Sequence, residues 1–200
     1  RLRGAFTYYS YKMMGCKKEE EILKIAAAIE ILHTFLLIED DFMDIAKTRR
    51  GAATINEYYR KKHKQKGFKK SSRHFGNSVA VNVGIIAEKV AMEIIIESKF
   101  KSTFKLQALA RVSNQVKITA HGQIHDVLNE VKTNVTEEDI LNVLYWKTGI
   151  YTYDNPLQVG AILAGADEDT LAAISEYAIP GGVAFQIQDD ILGSFGDESK

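Results

Sequence analysis

Two hundred residues of which 46% are apolar are enough for one domain with a sizeable core. The 26 basic and 26 acidic side chains cancel to a formal net charge of zero, which excludes a whole-chain attraction to nucleic acid. A single Cys16 excludes an internal disulfide framework and fits a reducing, cytoplasmic location, while no apolar run approaches membrane-spanning length and no signal peptide is visible. The opening at Arg1 and the close at Lys200 after an acidic stretch give the expectation of a piece truncated at both ends.

Two prolines in the whole chain and long stretches of Ala, Leu, Ile, Glu and Lys predict an all-α domain. Helices are expected near 3–15, 19–45, 76–99, 102–130, 136–164, 168–178 and 180–194. Thr136-Glu-Glu-Asp reads as a capping box, and Asp167-Glu-Asp-Thr as a second helix start. Pro156, inside the expected 136–164 helix, should kink it near Lys147 and Thr148. Between Tyr58 and Phe75 lies the strongly basic run RKKHKQKGFKKSSRH. It has two readings, an anion-binding patch or a flexible solvated loop. The loop is favoured, because aromatics are not interleaved along the run and Gly67, Ser71 and Ser72 interrupt it.

The stretch His33–Gly51, HTFLLIEDDFMDIAKTRRG, gathers three aspartates and two arginines at the end of an apolar helix. Asp40 and Asp44 stand one turn apart on one face, so both can aim oxygens at the same divalent ions, and His33 lies two turns earlier on nearly that face. Carboxylates without interleaved Cys or His favour Mg2+ or Mn2+ over zinc, and Mg2+ usually completes its shell with water and substrate phosphate. Adjacent Arg49 and Arg50 point to phosphate. An ordinary solvated helix end is the competing reading. Against it, Glu39, Asp40 and Asp41 follow a buried-looking apolar run directly, and their mutual repulsion calls for a cation.

A second apolar helix ends in Asp189 and Asp190, with Asp197 beyond and Gln186 one turn before. Two acidic helix ends in an all-helical chain suggest carboxylates facing one another across a cavity, gripping several Mg2+ ions and a diphosphate.

These residues together resemble the trans-polyprenyl diphosphate synthases, which include geranylgeranyl and farnesyl diphosphate synthases. The likeness spans essentially the whole chain. It rests on Asp40-Asp41-x-x-Asp44 with His33 before and Arg49-Arg50-Gly51 after, then on Gly122-Gln123-x-x-Asp126, Lys147-Thr148-Gly149 and Phe185-Gln186-x-x-Asp189-Asp190. It implies a single-domain helical bundle around a central cavity, of the isoprenoid-synthase type, and a homodimer. It further implies a Mg2+-dependent prenyltransferase condensing isopentenyl diphosphate with an allylic diphosphate (dimethylallyl, geranyl or farnesyl), with Mn2+ able to substitute. By resemblance, Asp40, Asp44 and Asp189 hold three Mg2+ ions. Asp41 belongs to the same metal-binding set but, like Asp190, acts mainly through the groups around those ligands. Arg49, Lys147, Thr148 and Gln186 contact the allylic substrate, and Arg50, His33 and Arg3 the isopentenyl diphosphate. The catalytic set is Asp40, Asp44, Arg49, Lys147 and Asp189.

Phe35 and Leu36 lie below Asp40 on its helix, Phe35 about 7 Å down the axis. By resemblance they set the floor of the product pocket and favour a twenty-carbon geranylgeranyl product over farnesyl. Gly193 stands where many relatives carry a third aspartate, and Ile85 where the family often has aspartate. These two departures are the arguments for the rival reading, a non-catalytic partner subunit. A terpene cyclase is disfavoured by Arg50 and His33. His121 and His125 are one turn apart without the glutamate of the metalloprotease pattern, and Trp146, Tyr151 and Tyr153 are explained equally well by helix packing.

Overall fold

A computed structural model describes residues 2–196, so Asp197 lies outside the described residues. In chain order the elements are α1 (Leu2–Met13), α2 (Glu19–Met43), β1 (Thr48–Arg49), β2 (Ala52–Ala53), α3 (Ile55–Gln65), α4 (Ser72–Glu97), α5 (Ser102–Val131), α6 (Glu137–Leu144), a π-helical segment (Tyr145–Asp154), α7 (Asn155–Ala164) and α8 (Glu168–Phe195). The all-α expectation holds, the only strands among the described residues being one two-residue pair. The chain forms two compact units, Arg1–Ala26 with Ser98–Lys200, and Ala27–Glu97.

In the first unit α1 lies on α7. The contact is close because Gly160 has no side chain: a Cβ there would collide with the Thr7 carbonyl and lie 3.0 Å from Cβ of Ser10. Ser10 Oγ donates to the Leu157 carbonyl at 2.6 Å. Val159 and Ala161 are fully buried, and α7 stops at Gly165, whose φ of 87° closes the helix in the left-handed region. The expected capping box is present: the Thr136 hydroxyl accepts from the Asp139 amide and the Asp139 carboxylate from the Thr136 amide, both at 3.1 Å. Asp167 likewise starts α8 by accepting from the Thr170 amide at 2.9 Å.

Two expectations in this unit need correction. The stretch 136–164 is not one kinked helix; α6 gives way to ten residues of π-helix, and Pro156 falls in the first turn of α7. Proline lacks the amide that would continue the ladder, and the change of frame is visible where the Asn155 amide reaches back five residues to the Ile150 carbonyl. Conversely, α8 runs unbroken through Pro180, where two helices were expected. Pro180 sits on an exposed face, so the carbonyl it deprives of a partner can turn to water.

In the second unit the greater part of α2 is followed by the β1–β2 hairpin and the α3–α4 pair. The basic run is not a flexible loop. Its first six residues form the second half of α3, which packs on α4 with Asn56, Glu57 and His63 turned inward. A Cβ at Gly76 would collide with the Asn56 carbonyl, so the glycine permits that approach. Buried Glu57 is held by Arg60 at 2.5 Å. The helical signal is the four-residue spacing of half-buried Ile55 and Tyr59 and buried His63, which Arg60, Lys61, Lys62 and Lys64 obscure.

Candidate active site

The acidic end of α2 belongs to the second unit. Asp40 is half-buried and Asp41 buried, while Asp44 lies one residue beyond the helix and is exposed. The Asp44 amide still donates to the Asp40 carbonyl at 2.9 Å, which keeps the two residues one helical turn apart, as expected. The chain then reverses. Ile45 has φ 56°, and the turn between β1 and β2 places Arg50 at φ 51° and Gly51 at φ 78°. Two successive positive φ values are what a tight two-residue hairpin needs. Thr48 pairs with Ala53 and Arg49 with Ala52, and the Thr54 hydroxyl fastens the hairpin to the Ala46 carbonyl at 2.8 Å.

This reversal returns Arg49 to the aspartates. Its Nε donates to Asp41 Oδ1 at 2.6 Å and its Nη2 to Asp40 Oδ2 at 3.0 Å, so one planar guanidinium spans two neighbouring carboxylates. Arg50, at the turn itself, is exposed. His33 is buried in α2, and Phe35 and Leu36 are half-buried there. A Cβ on Gly84 would collide with the Glu39 carboxylate and come 3.3 Å from the Phe35 ring, so α4 passes directly beside the expected floor residue. Burial pushes the Glu39 carboxyl above its ordinary value. Ile85, at the position of a family aspartate, is exposed.

The remaining predicted residues belong to the first unit, where Lys147 and Thr148 lie on the π-helical segment and Gln186 and Arg3 bond to it. Lys147 Nζ donates to Asp126 Oδ2 of α5 at 2.7 Å. Thr148 is buried, and its hydroxyl donates to Gln186 Oε1 of α8 at 2.8 Å; Gln186 Nε2 in turn donates to Asp190 Oδ1 at 2.7 Å. Glycines make these approaches possible: a Cβ on Gly122 would lie 3.1 Å from the Lys147 amide, and one on Gly182 2.7 Å from Cα of Gly149. Asp189 is exposed on α8. Arg3 donates to the Thr152 hydroxyl at 2.7 Å, its guanidinium lying 4.2 Å from the Tyr151 ring centre. Of the other aromatics, the Trp146 ring meets His125 at 4.9 Å and the Tyr153 ring meets Phe6 at 4.7 Å.

Two carboxylates that hold this segment or its predicted site residues lacked an assignment from sequence. Asp126 was visible in a motif but without a partner. Asp154, nearly fully buried, ends the π-helical segment; it is paired with Arg111 of α5 and accepts from Ser175 Oγ of α8 at 2.6 Å. This carboxylate fixes the segment that presents Lys147 and Thr148.

As to metal, no three His, Cys, Asp or Glu side chains among the described residues form a ready-made cage. The donors at the end of α2 are nevertheless carboxylate oxygens, the hard ligands that Mg2+ takes one or two at a time alongside phosphate and water. The donor set fits.

All of residues 1–200 match the sequence model of the polyprenyl synthetase family. The chain belongs to this family. Among polyprenyl synthetase relatives, it is 32% identical over 201 residues to the geranylfarnesyl diphosphate synthase of Aeropyrum pernix, covering 98% of this chain and 58% of that one. It is 30% identical to the geranylgeranyl diphosphate synthase of Saccharolobus solfataricus, over 100% of this chain and 55% of the other. A solved geranylgeranyl pyrophosphate synthase of Corynebacterium glutamicum, complexed with isoprenyl diphosphate and magnesium, superposes with a TM-score of 0.87 at 31% identity, covering 98% of this chain and 56% of that one. The chain thus spans a little over half the length of these polyprenyl synthetases. No helix among the described residues is long and apolar enough to cross a membrane.

Proposed function

We propose that this polyprenyl synthetase is a trans-prenyltransferase that condenses isopentenyl diphosphate with an allylic diphosphate to give a short-chain prenyl diphosphate, the twenty-carbon geranylgeranyl product fitting best. The observation that carries the reading is the Arg49 guanidinium held on Asp40 and Asp41. One cation on two carboxylates leaves net negative charge, so a Mg2+–diphosphate complex can enter by giving its metal to the carboxylates and its phosphate oxygens to Arg49. Asp40, Asp44 and Asp189 are the proposed metal ligands, for three Mg2+ ions or for Mn2+ in their place. Bound metal would neutralise charge on the departing diphosphate. Asp41, buried and engaged by Arg49, suits a supporting role.

In the proposed reaction the allylic carbon–oxygen bond breaks and the electron pair leaves with the diphosphate. The double bond of isopentenyl diphosphate then attacks the allylic cation, one carbon–carbon bond forms, and a proton passes to the released diphosphate. Fixed cations aimed at the leaving group stabilise the developing charge. Arg49 and Lys147 serve in this way, with Thr148 and Gln186 as polar contacts, and Arg50, His33 and Arg3 bind the second diphosphate. Arg3, stacked on Tyr151 and bonded to Thr152, is already held in one orientation. Phe35, packed beside Gly84, suits a floor. A cytoplasmic homodimer is part of the same proposal.

The test is incorporation of labelled isopentenyl diphosphate into farnesyl diphosphate by the purified full-length protein with Mg2+, read by product mass. A twenty-carbon diphosphate is expected, lost in Asp40→Ala and lengthened by at least one isoprene unit in Phe35→Ala. A farnesyl product from geranyl diphosphate that is not extended would replace the product assignment. No product from any allylic primer would overturn catalysis in favour of the partner-subunit reading, which Ile85 and Gly193 would then explain.

A further inference from the structure

The corner between α3 and α4 concentrates charge in a way that the proposed chemistry does not use. Eight of the chain's 26 Lys and Arg residues fall within positions 60–73, and no acidic residue falls there. Arg60 is turned onto Glu57; Lys61, Lys62, Lys64, Lys66, Lys69, Lys70 and Arg73 are all exposed.

The corner is built, not loose. The α3 helix ends at Gly67, φ 63°, with the Gly67 amide donating to the Lys64 carbonyl at 3.1 Å and the Phe68 amide to the His63 carbonyl at 3.2 Å. That pair of bonds is the Schellman closure, which brings the residue after the glycine onto the last helical turn. Phe68 accordingly meets the His63 ring at 5.7 Å and the Phe75 ring at 6.2 Å, and His63 Nε2 lies 3.0 Å from the Lys69 carbonyl. Phe68 nevertheless remains 55% exposed. A large apolar ring is therefore fixed at the apex of the corner, flanked by Lys66, Lys69 and Lys70.

We propose that the α3–α4 corner is a docking surface for an anionic lipid bilayer, with Phe68 entering the acyl boundary and the surrounding lysines lying at the phosphates. Three observations favour this occupant. A wedge of one aromatic ringed by flexible ammonium groups matches the depth profile of a membrane interface, apolar below and anionic above. The exposed cations are almost all lysines, compact charges without the planar fork that reads base edges. Zero net charge on the whole chain leaves the attraction local to this corner, within the roughly 10 Å reach of charges at 0.1 M salt.

The experiment is co-sedimentation of the full-length protein with phosphatidylglycerol–phosphatidylcholine vesicles and with pure phosphatidylcholine vesicles at about 0.1 M salt. Binding to the anionic vesicles is expected to be tighter by about 100-fold or more, and that preference to be largely lost, a fall of about 100-fold, when Lys64→Gln, Lys66→Gln, Lys69→Gln and Lys70→Gln are combined. These positions are exposed, so the variant should keep its fold, which circular dichroism checks. In Phe68→Trp, fluorescence should be quenched by lipids brominated in their acyl chains, beyond any quenching of the native Trp146. Equal binding to both vesicles, or an undiminished quadruple variant, overturns the proposal. Tighter binding to a duplex oligonucleotide than to anionic vesicles, without acyl-chain quenching, would reassign the corner to nucleic acid.

Discussion

Arg49 touches two carboxylates at once, and each contact has a separate consequence. Removing it leaves buried Asp41 without its ionic partner, which costs about 1–3 kcal/mol, tempered by the one-third exposure of the arginine. It also removes a cation from the proposed leaving-group site, which costs on the order of 100-fold in rate. Arg49→Ala is therefore expected to lower both the melting temperature and kcat/KM. Arg49→Lys should restore much of the stability and less of the rate, because an ammonium keeps the charge and loses the fork that spans both aspartates. A lysine variant with full activity, measured beside its melting curve, would show that charge alone suffices. At this scale the first aspartate cluster was legible because charges stacked against an apolar run are costly and so conspicuous. The partners of Lys147 and Arg111 were not: Asp126 lies 21 residues from Lys147, and Asp154 lies 43 from Arg111, and a single sequence carries no signal for such pairings.

Elements were legible where local chemistry decides them. Thr136 and Asp139 satisfy each other's amides across three residues, so the start of α6 could be read directly. The π-helical segment depends on how α5 and α8 pack against it, and α3 on an inward face hidden among lysines; neither follows from local propensity. The α6 cap also has a pH signature. Asp139 is held down to about 2 from 3.8, chiefly by the Lys132 ammonium and then by the Thr136 amide and hydroxyl. A carboxyl with a depressed folded pKa binds fewer protons when folded than when unfolded. Its contribution is complete above 3.8 and is lost as pH falls towards about 2. Melting curves across that acid range should fall less steeply for Asp139→Asn than for the parent protein, the two converging at the acid end. Parallel curves would mean that the cap does not carry the linkage.

For the molecule as a whole, the proposed chemistry makes ligand binding a stability term. A complex that binds the folded chain and not the unfolded one raises the free energy of unfolding by RT ln(1 + [L]/Kd), about 2.7 kcal/mol at a hundredfold excess over Kd. For a chain of this size each kcal/mol moves the melting temperature by about 2–4 °C. Inorganic diphosphate carries the charge that Arg49 and Lys147 are proposed to meet, and Mg2+ the charge that Asp40, Asp44 and Asp189 are proposed to meet. Each alone leaves the other set of charges uncompensated, because the ion brings no anion to the cations and the anion no metal to the aspartates. The two together should therefore raise the melting temperature by about 5–10 °C, more than the sum of their separate effects. The synergy should vanish in Asp40→Ala, which keeps the cations but loses a ligand. Simple addition of the two effects in the parent protein would mean that metal and diphosphate do not share a site, and it would remove the physical basis for assigning the aspartates to metal-bound substrate.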